Sequence, residues 1–273
     1  MKMTSEQLAW KIRRHGIEMT HRSRGSHIGS ILSVADIIAV LYTEVLHFRA
    51  EDPAWEERDR FILSKGHAGA AVYAALAESG FFGIEDLMTH YQNGSLLSGH
   101  ISHHVPGVDF STGSLGHGLG AAVGMAYAAK KDGKSYRVFA VMGDGECDEG
   151  SVWESALFAN HFRLNNLVTI IDRNHMQSLD FSENTLELND LGMKWRAFGW
   201  NVIEIDGHDM QQILDAFAKA RECVGRPTVI VAETVKGKGV SFMEDQAGWH
   251  GKAPNDEQTQ QALEELEAAK AAL

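Results

Sequence analysis

The stretch from residue 138 to residue 176 constrains the fold more than any other part of the chain. Two apolar runs, 138–143 and 167–171, are rich in Val and Ile, and a helix is expected between them at 151–162. Short apolar runs of this kind are typical of strands buried on both faces of a parallel sheet. Each run ends in a polar cluster, Gly-Asp-Gly and Asp-Arg-Asn. Ligands in open parallel sheets bind outside the carboxyl ends of strands, so both clusters are expected to face one crevice.

These clusters offer the ligands that a magnesium ion holding a diphosphate prefers. Mg²⁺ takes hard oxygens, usually one or two carboxylates together with phosphate and water. Asp144 provides a carboxylate, Asn174 an amide oxygen and Met176 a backbone carbonyl. Gly143 and Gly145 have no Cβ, so backbone N–H groups there can approach a phosphate closely. On these residues alone, an ordinary turn is the simpler interpretation of Gly-Asp-Gly.

Strands and helices alternate along the rest of the chain. Strands are predicted at 61–63, 138–143, 167–171, 201–206 and 226–235, and helices at 5–22, 34–46, 68–79, 115–131, 151–162, 191–199, 209–222 and 255–271. The predicted helix caps are Ser5, Ser33 and either Thr112 or Ser114. This alternation predicts one α/β domain over residues 1–273, with a doubly wound, mainly parallel sheet and helices on both faces.

Composition argues against several classes of partner. The chain of 273 residues has 25 Lys and Arg against 37 Asp and Glu, and its net charge of −12 and pI of about 5.6 argue against a nucleic-acid or anionic-membrane surface. No apolar run is expected to span a bilayer, and the N-terminus has no apolar signal core. Two cysteines provide no disulfide framework. We expect a cytoplasmic protein with neither nucleic-acid nor membrane partners.

A glycine repeat marks the predicted helix at 115–131. Gly116, Gly120 and Gly124 recur at every fourth position, so one helix face is nearly bare backbone. Such a face permits close packing against another helix or a cofactor. We expect tight core packing for Gly120 and Gly124, while the Ser-Leu-Gly-His-Gly entry to the helix calls for a further explanation.

Four of the 14 histidines lie in glycine-containing loops, and these are His27, His67, His100 and His250. Histidine donates hydrogen bonds to phosphate and sugar oxygens and moves protons near neutral pH. Each one alone is more simply explained as a surface-loop residue. Zinc is the rival interpretation, but no pair has metal-ligand spacing on a helix and neither cysteine has a partner.

In combination and in order, these motifs resemble the transketolase family. The segment GDGECDEGSVWESALFA is closely similar, and a Gly-Asp-Gly strand end, a helix and a strand ending in Asn form the thiamin diphosphate signature. The four histidines lie in GSHIGS, LSKGHA, SGH and GWHGK, which match the family pattern in order. The resemblance covers nearly the whole chain and implies the fold of the family's diphosphate-binding domain, with thiamin diphosphate and Mg²⁺ as cofactors.

The resemblance also implies a role for each matching residue. Metal ligands are implied at Asp144, Asn174 and Met176. Cofactor contacts are implied at His67, Gly113, Leu115, Gly143, Gly145 and Asn174. Contacts with the reacting carbon and the hydroxyl groups of a ketose are implied at His27, His100 and His250. Asp172 is expected to be structural.

The implied activity is that of the N-terminal half of a transketolase. Such an enzyme transfers a two-carbon ketol unit from a ketose, or its phosphate, to an aldose acceptor. The pyrimidine-binding domain and its activating glutamate have no counterpart in the matching segments, so the resemblance implies a C-terminal subunit as partner, in an α₂β₂ assembly. Glu149 resembles the family's interface glutamate, although the helix dipole also favours an acid at this helix N-terminus.

One residue departs from the family pattern. Tyr91 stands where transketolases that act on sugar phosphates carry an arginine, which binds phosphate through two hydrogen bonds. Either the partner supplies the phosphate contacts or the acceptor differs from the usual aldose phosphates, and the sequence leaves both open.

Other functions are less consistent with the motifs. Deoxyxylulose phosphate synthesis and 2-oxo acid decarboxylation use the same cofactor, but relatives of the second type lack the four-histidine pattern. A non-catalytic regulatory subunit of the same fold need not retain Asp144, Asn174 and the four histidines. A nicotinamide-binding Rossmann domain is the weakest alternative, because the glycines of SLGHGLG do not follow a first strand.

Overall fold

A parallel sheet forms the centre of the molecule in the computed structural model, which describes residues 3–178 and 180–270. Its strands are β1 (Arg60–Leu63), β2 (Val138–Gly143), β3 (Leu167–Arg173), β4 (Asn201–Asp206) and β5 (Thr228–Glu233). They lie in the order β1-β2-β3-β5-β4, and each neighbouring pair is parallel. The predicted α/β fold with a mainly parallel sheet is confirmed.

Helices pack on both faces of this sheet. They are α1 (Ser5–Ser23), α2 (Ile28–Val40), α3 (Gly69–Glu78), α4 (His117–Lys131), α5 (Gly150–His161), α6 (Ser182–Thr185), α7 (Leu191–Ala197), α8 (Met210–Glu222) and α9 (Asp256–Lys270). Along β2, Phe139 and Val141 join a core with α1, α2 and α3, whereas Ala140 and Met142 join a second core with α4 and α5. Burial on both faces explains why the central strands β2, β3 and β5 are largely apolar. Residue 271, the predicted end of α9, lies outside the described residues.

The helix α2 lies deepest in the molecule, and all 13 of its residues are buried. It continues as a π-helical turn over Leu41–Val45. By length and composition alone, Ile28–Val45 qualifies as a membrane-spanning segment, with a mean hydropathy of 1.7. The expectation that no apolar run has this length was therefore wrong. Because 83% of the segment is buried inside the protein, it serves here as a core helix.

Two predicted caps near the N-terminus are wrong. The helix α1 is capped by Thr4 rather than Ser5, since the Thr4 side chain accepts a hydrogen bond from the backbone of Gln7 at 3.2 Å. The helix α2 begins at Ile28, so Ser33 lies inside it. The Ser33 hydroxyl instead donates to the carboxylate of Asp172 in β3, at 2.6 Å.

The entry to α4 also differs from the prediction. No side chain caps this helix, and Gly116 precedes it with a φ of 82°, a conformation that favours glycine. Thr112, one of the two predicted caps, donates to the carbonyl of Leu63 at 2.5 Å. The predicted tight packing of Gly120 and Gly124 is wrong, because both are exposed and an added Cβ at Gly124 would meet no atom within 4 Å.

Candidate functional site

A cavity of about 230 Å³ opens at the carboxyl edge of the sheet. Its walls come from the segments that follow β1, β2, β3 and β5, and from the loops before α2, α4 and α9. Every site residue predicted from the sequence lines this cavity: His27, His67, His100, Gly113, Leu115, Gly143, Asp144, Gly145, Asn174, Met176 and His250. The fold therefore brings together residues from distant parts of the chain at the edge where the sequence placed a ligand.

The four predicted histidines form one cluster around His27. Its ring centroid lies 5.1 Å from that of His67, 5.5 Å from that of His100 and 5.0 Å from that of His250. The backbone of His27 has a φ of 74°, which is uncommon for a residue other than glycine, and its N–H donates to the carbonyl of His250 at 2.8 Å. Strained backbone of this kind concentrates at functional sites.

Three of these imidazoles are neutral at physiological pH. Burial, followed by the charges of His100 and two lysines, lowers the pKa of His27 to about 4. Burial and then Lys236 lower the pKa of His250 to about 3, and burial lowers the pKa of His67 well below its usual value. A neutral imidazole has one donor and one acceptor nitrogen, so each ring can hold or accept a proton at a substrate oxygen.

Groups with hard oxygens also line the cavity. Asp144 and Asn174 are buried, at 3% and 4% exposure, and Met176, whose carbonyl oxygen lies 3.5 Å from Nζ of Lys236, lines the same space. Burial and then Asp172 raise the pKa of Asp144, so the cavity disfavours its carboxylate. The site fits Mg²⁺, because a divalent cation would supply the missing positive charge. Among the described residues, no three His, Cys, Asp or Glu residues are grouped to hold a metal.

Two buried lysines in the cavity were missed by the sequence argument. Lys65 and Lys236 are each 1% exposed. The Lys236 ammonium lies 3.0 Å from Nδ1 of His250, and because it can only donate, Nδ1 accepts and the imidazole proton lies on Nε2. Burial and then Lys65 lower the pKa of Lys236 to about 8. The rule that ligands bind at carboxyl strand ends, applied to β5 as it was to β2, would have predicted Lys236.

Beneath the cavity, Asp172 is fully buried in β3 and accepts hydrogen bonds from Ser33, Lys65 and Thr234. Burial raises its pKa, but the Lys65 charge and these hydrogen bonds outweigh burial and leave the pKa lowered. These contacts are consistent with the predicted structural role. The contact with Asp172 gives the buried Lys65 side chain a partner of opposite charge.

Glu146 explains the glycine-rich entry to α4, although no sequence signal pointed to this role. Its carboxylate is 1% exposed and accepts backbone N–H groups from Gly116 at 2.8 Å and Gly143 at 3.3 Å, together with the Ser64 hydroxyl. Burial raises the pKa of Glu146. Because these donors surround its oxygens, Glu146 ties the α4 entry to the end of β2.

Tyr91 packs against the glycines that precede two of the four histidines. Its side chain is 58% exposed and its φ is 60°. The ring rests on Gly99, where a Cβ would overlap it, and lies 4.0 Å from the position of a Cβ on Gly25. These glycines precede His100 and His27 closely in the chain, so Tyr91 packs against the two loops that carry these histidines.

A larger cavity of about 800 Å³ lies at the amino edge of the sheet. Its lining includes the carboxylates Glu44, Glu57 and Asp59 and the arginines Arg137 and Arg221. No predicted motif residue lies there. Parallel sheets bind ligands at the other edge, so we assign the function to the smaller cavity.

A surface of α4 and α5 carries apolar side chains without cover in the described chain. We call Gly120, Gly124, Leu157 and Phe158 the α4/α5 surface. Leu157 is 59% exposed and Phe158 is 40% exposed, and both glycines are exposed on α4, which packs against α5. Glu149 is also exposed, at the residue before α5.

Comparison with known proteins identifies relatives across nearly the whole chain. The family described as "Transketolase, thiamine diphosphate binding domain" matches residues 4–270. The chain is 40% identical over 263 residues to a subunit of the apulose-4-phosphate transketolase of Phocaeicola vulgatus, covering 96% of this chain and 94% of that protein. It is 41% identical over 257 residues to the 6-deoxy-6-sulfo-D-fructose transketolase subunit SqwG of a Clostridium species, covering 94% of each.

The fold is likewise similar to solved transketolases. The structure from Campylobacter jejuni superposes with a TM-score of 0.92 at 31% identity, over 96% of this chain. A structure from Pichia stipitis also has a TM-score of 0.92, at 27% identity. The chain spans 42% of the length of the C. jejuni chain and 40% of the P. stipitis chain.

Proposed function

Because the chain belongs to the transketolase family, and its fold is that of the family's thiamin diphosphate-binding domain, we propose that it is the N-terminal subunit of a split transketolase. The proposed reaction moves a two-carbon ketol unit from a ketose, or its phosphate, to an aldose acceptor. One observation carries the proposal. Segments from four strand ends meet in one cavity that places oxygen ligands beside buried ammonium groups.

Mg²⁺ would be held by Asp144, the amide oxygen of Asn174 and the carbonyl of Met176. This set contains one carboxylate and two neutral oxygens, which leaves room for phosphate and water ligands, as Mg²⁺ prefers. The Asp144 carboxylate is oriented by the Ser182 hydroxyl at 3.1 Å, and the Asn174 oxygen accepts the Met176 N–H at 3.2 Å. Ligands held by such bonds keep their geometry before the metal arrives.

The diphosphate would be bound by groups on the same wall. Lys236 provides a buried ammonium, His67 an imidazole, and Gly143 and Gly145 offer backbone at the end of β2. At Gly143 an added Cβ would meet no atom within 4 Å, so the space above this backbone is open to a ligand. Gly113 and Leu115 line the cavity where the rings of the cofactor would lie.

The sugar would be handled by His27, His100 and His250. Bound thiamin diphosphate supplies the electron sink for the chemistry. The neutral rings of His27 and His250 hold or accept protons at the hydroxyl and carbonyl oxygens of the ketose. The Lys236 contact orients His250 so that its Nε2–H is available to donate.

A partner chain would complete the site. Both bacterial relatives named above are called subunits, and the chain covers 94% of each. The α4/α5 surface provides an apolar area that a partner would cover. We propose a C-terminal transketolase subunit with the pyrimidine-binding domain and its activating glutamate as that partner, in an α₂β₂ assembly. Glu149, exposed at the residue before α5, would lie at the contact.

The acceptor would be selected beside Tyr91. The names of the two bacterial relatives include a sugar phosphate and a sulfonated sugar, so subunits of this kind use more than one anionic sugar. Tyr91 offers this chain's substrate an aromatic face and a hydroxyl instead of a cation. We propose sugars or sugar phosphates as substrates, with any contact to a terminal anion supplied elsewhere.

Binding of thiamin diphosphate tests the proposal. Calorimetry with Mg²⁺ on the chain assembled with its partner should show binding. Asp144→Asn should weaken it at least about tenfold, because even the loss of a group that only supports a metal ligand costs that much. Asp132→Asn, at the exposed end of α4, is the matched control and should bind as the wild type does. Equal affinity in wild type and Asp144→Asn would exclude the metal site.

A further inference from the structure

A line of largely buried polar groups runs from α1 to the turn that carries Lys236. Arg13 donates two hydrogen bonds to Asp36 of α2, from Nη1 at 2.8 Å and from Nη2 at 2.5 Å. Nδ1 of His208, in the turn between β4 and α8, lies 2.7 Å from the same carboxylate. Nε2 of His208 lies 2.9 Å from the backbone nitrogen of Val235, which directly precedes Lys236.

These partners determine which ring nitrogen of His208 carries the proton. Burial raises the pKa of Asp36, but Arg13 and His208 outweigh it and lower the pKa to about 2, so this group is a carboxylate that only accepts. Nδ1 must therefore carry the proton. The Val235 N–H can only donate, so Nε2 must be unprotonated and accept this hydrogen bond. One neutral tautomer satisfies both contacts, and it links the carboxylate to the backbone.

The same network holds the turn on both sides of Lys236. Nε of Arg13 donates to the carbonyl of Lys238 at 3.2 Å, while His208 holds the N–H of Val235. Gly207 allows this approach, because a Cβ there would meet the Glu233 carbonyl at 2.9 Å. Two side chains that never reach the cavity thus fix the backbone of a lysine that does.

We propose that His208 is a positioning residue that holds the turn 235–238, so that the Lys236 ammonium stays in the cavity and binds the diphosphate of the cofactor. This inference rests on the function proposed above. It differs from a purely structural role, because it predicts a selective change at Lys236. A buried ion pair alone would not require the final hydrogen bond to the backbone beside that lysine.

The test compares His208→Ala with His208→Gln. Glutamine keeps one donor and one acceptor, whereas alanine keeps neither. Acylation of individual lysine amines in the assembled, cofactor-free protein, mapped by mass spectrometry, reports the exposure of Lys236 directly. We expect Lys236 to be acylated about tenfold faster in the His208→Ala variant than in the wild type. The variant should also bind thiamin diphosphate about tenfold more weakly, which is the size of one charge-assisted contact between Lys236 and the diphosphate. His208→Gln should restore both values toward wild type.

Two further variants complete the test, one as a control for stability and one as a substitute for His208→Ala. Phe217→Leu, in the core under α8, lowers stability without touching the network and should leave Lys236 acylation unchanged. If His208→Ala does not fold, Arg13→Lys is tested in its place. This variant keeps the positive charge but loses the planar guanidinium group, which donates to both Asp36 and Lys238. Unchanged Lys236 acylation in the folded variant, or an equal change in Phe217→Leu, would overturn the proposal. Acylation needs no cofactor, so absence of thiamin diphosphate binding in wild type would refute the proposed function separately.

Discussion

Asp144 and Lys236 both line the cavity, and burial disfavours the charged form of each. The pKa of Asp144 is raised and the pKa of Lys236 is lowered to about 8, both chiefly by burial. A metal cation beside Asp144 and a diphosphate beside Lys236 would each restore the charged form. The cavity is therefore prepared for a cation and an anion together, which is the chemistry of a Mg²⁺–diphosphate pair.

The shifted pKa of Lys236 predicts a pH dependence. Only the ammonium attracts a diphosphate, and this ammonium loses its proton as the pH rises through about 8. The affinity for thiamin diphosphate, measured by calorimetry, should therefore be constant below that pH and should fall above it. Lys236→Met should bind weakly with no such fall. A wild-type affinity that stays constant up to about pH 10, near the usual pKa of a lysine, would contradict the assignment.

The pair of Lys65 and Asp172 predicts a large effect on stability. Both side chains are almost completely buried, at 1% and 0% exposure. Lys65→Met would leave the carboxylate buried without its partner charge, which costs about 3–5 kcal/mol of unfolding free energy. Denaturant unfolding measures this loss. Lys134→Met, which removes an exposed lysine that pairs with Glu57, is the control and should barely move the midpoint. Equal midpoints for the two variants would contradict the description of the pair.

At the scale of elements, the sequence predicted strands and strand-end residues well. The run 138–143 became β2 without change, and 167–171 became the start of β3. Burial on both faces leaves a strong local signal, and parallel topology then places the strand ends together. Asp144 and Asn174 could be predicted for this reason, because each lies at the end of one of those strands.

Contacts between distant segments explain what the sequence did not predict. Ser33 and Thr112 were expected to cap helices, but their hydroxyls bond to groups on β3 and β1. Propensity describes only neighbours in the chain, so such partners override it. Glu146 was missed for the same reason, since its role depends on Ser64 and Gly116, which are far away in sequence. Lys236 was missed because the strand-end rule was not applied to β5. The packing of the exposed glycines of α4 was mispredicted. Glycine spacing on a helix indicates a face that can pack closely, but it does not indicate which element covers that face.

The α4/α5 surface predicts where the partner subunit binds. Leu157→Asp places a charge on the exposed part of α5, so the chain should fold normally but lose at least about tenfold in affinity for the partner, as expected at an apolar contact. Thermal unfolding and analytical ultracentrifugation of the mixture measure the two effects. Val224→Asp, after α8 and 84% exposed, is the control and should assemble as the wild type does. Full assembly of Leu157→Asp would place the interface elsewhere.

At the scale of the whole molecule, the chain matches one part of the solved transketolases. It spans 42% of the C. jejuni chain but 94% of the P. vulgatus relative, which is itself named as a subunit. A division of the enzyme between two chains accounts for both values. The cavity is open in the described chain, and a second chain would cover it and exclude water from the reaction. The cytoplasmic location remains a prediction from composition.

Ketol transfer by the assembled subunits tests whether this chain forms one half of a split transketolase. The chain would be assayed with thiamin diphosphate, Mg²⁺, xylulose 5-phosphate and ribose 5-phosphate, alone and with the co-expressed product of a neighbouring gene. We expect no turnover by either chain alone and turnover by the mixture, because the proposed partner would carry the activating glutamate. Turnover by this chain alone would contradict the claim that it forms half of a site. An assembled mixture that binds the cofactor but transfers no ketol unit from any ketose would contradict the assignment of the reaction.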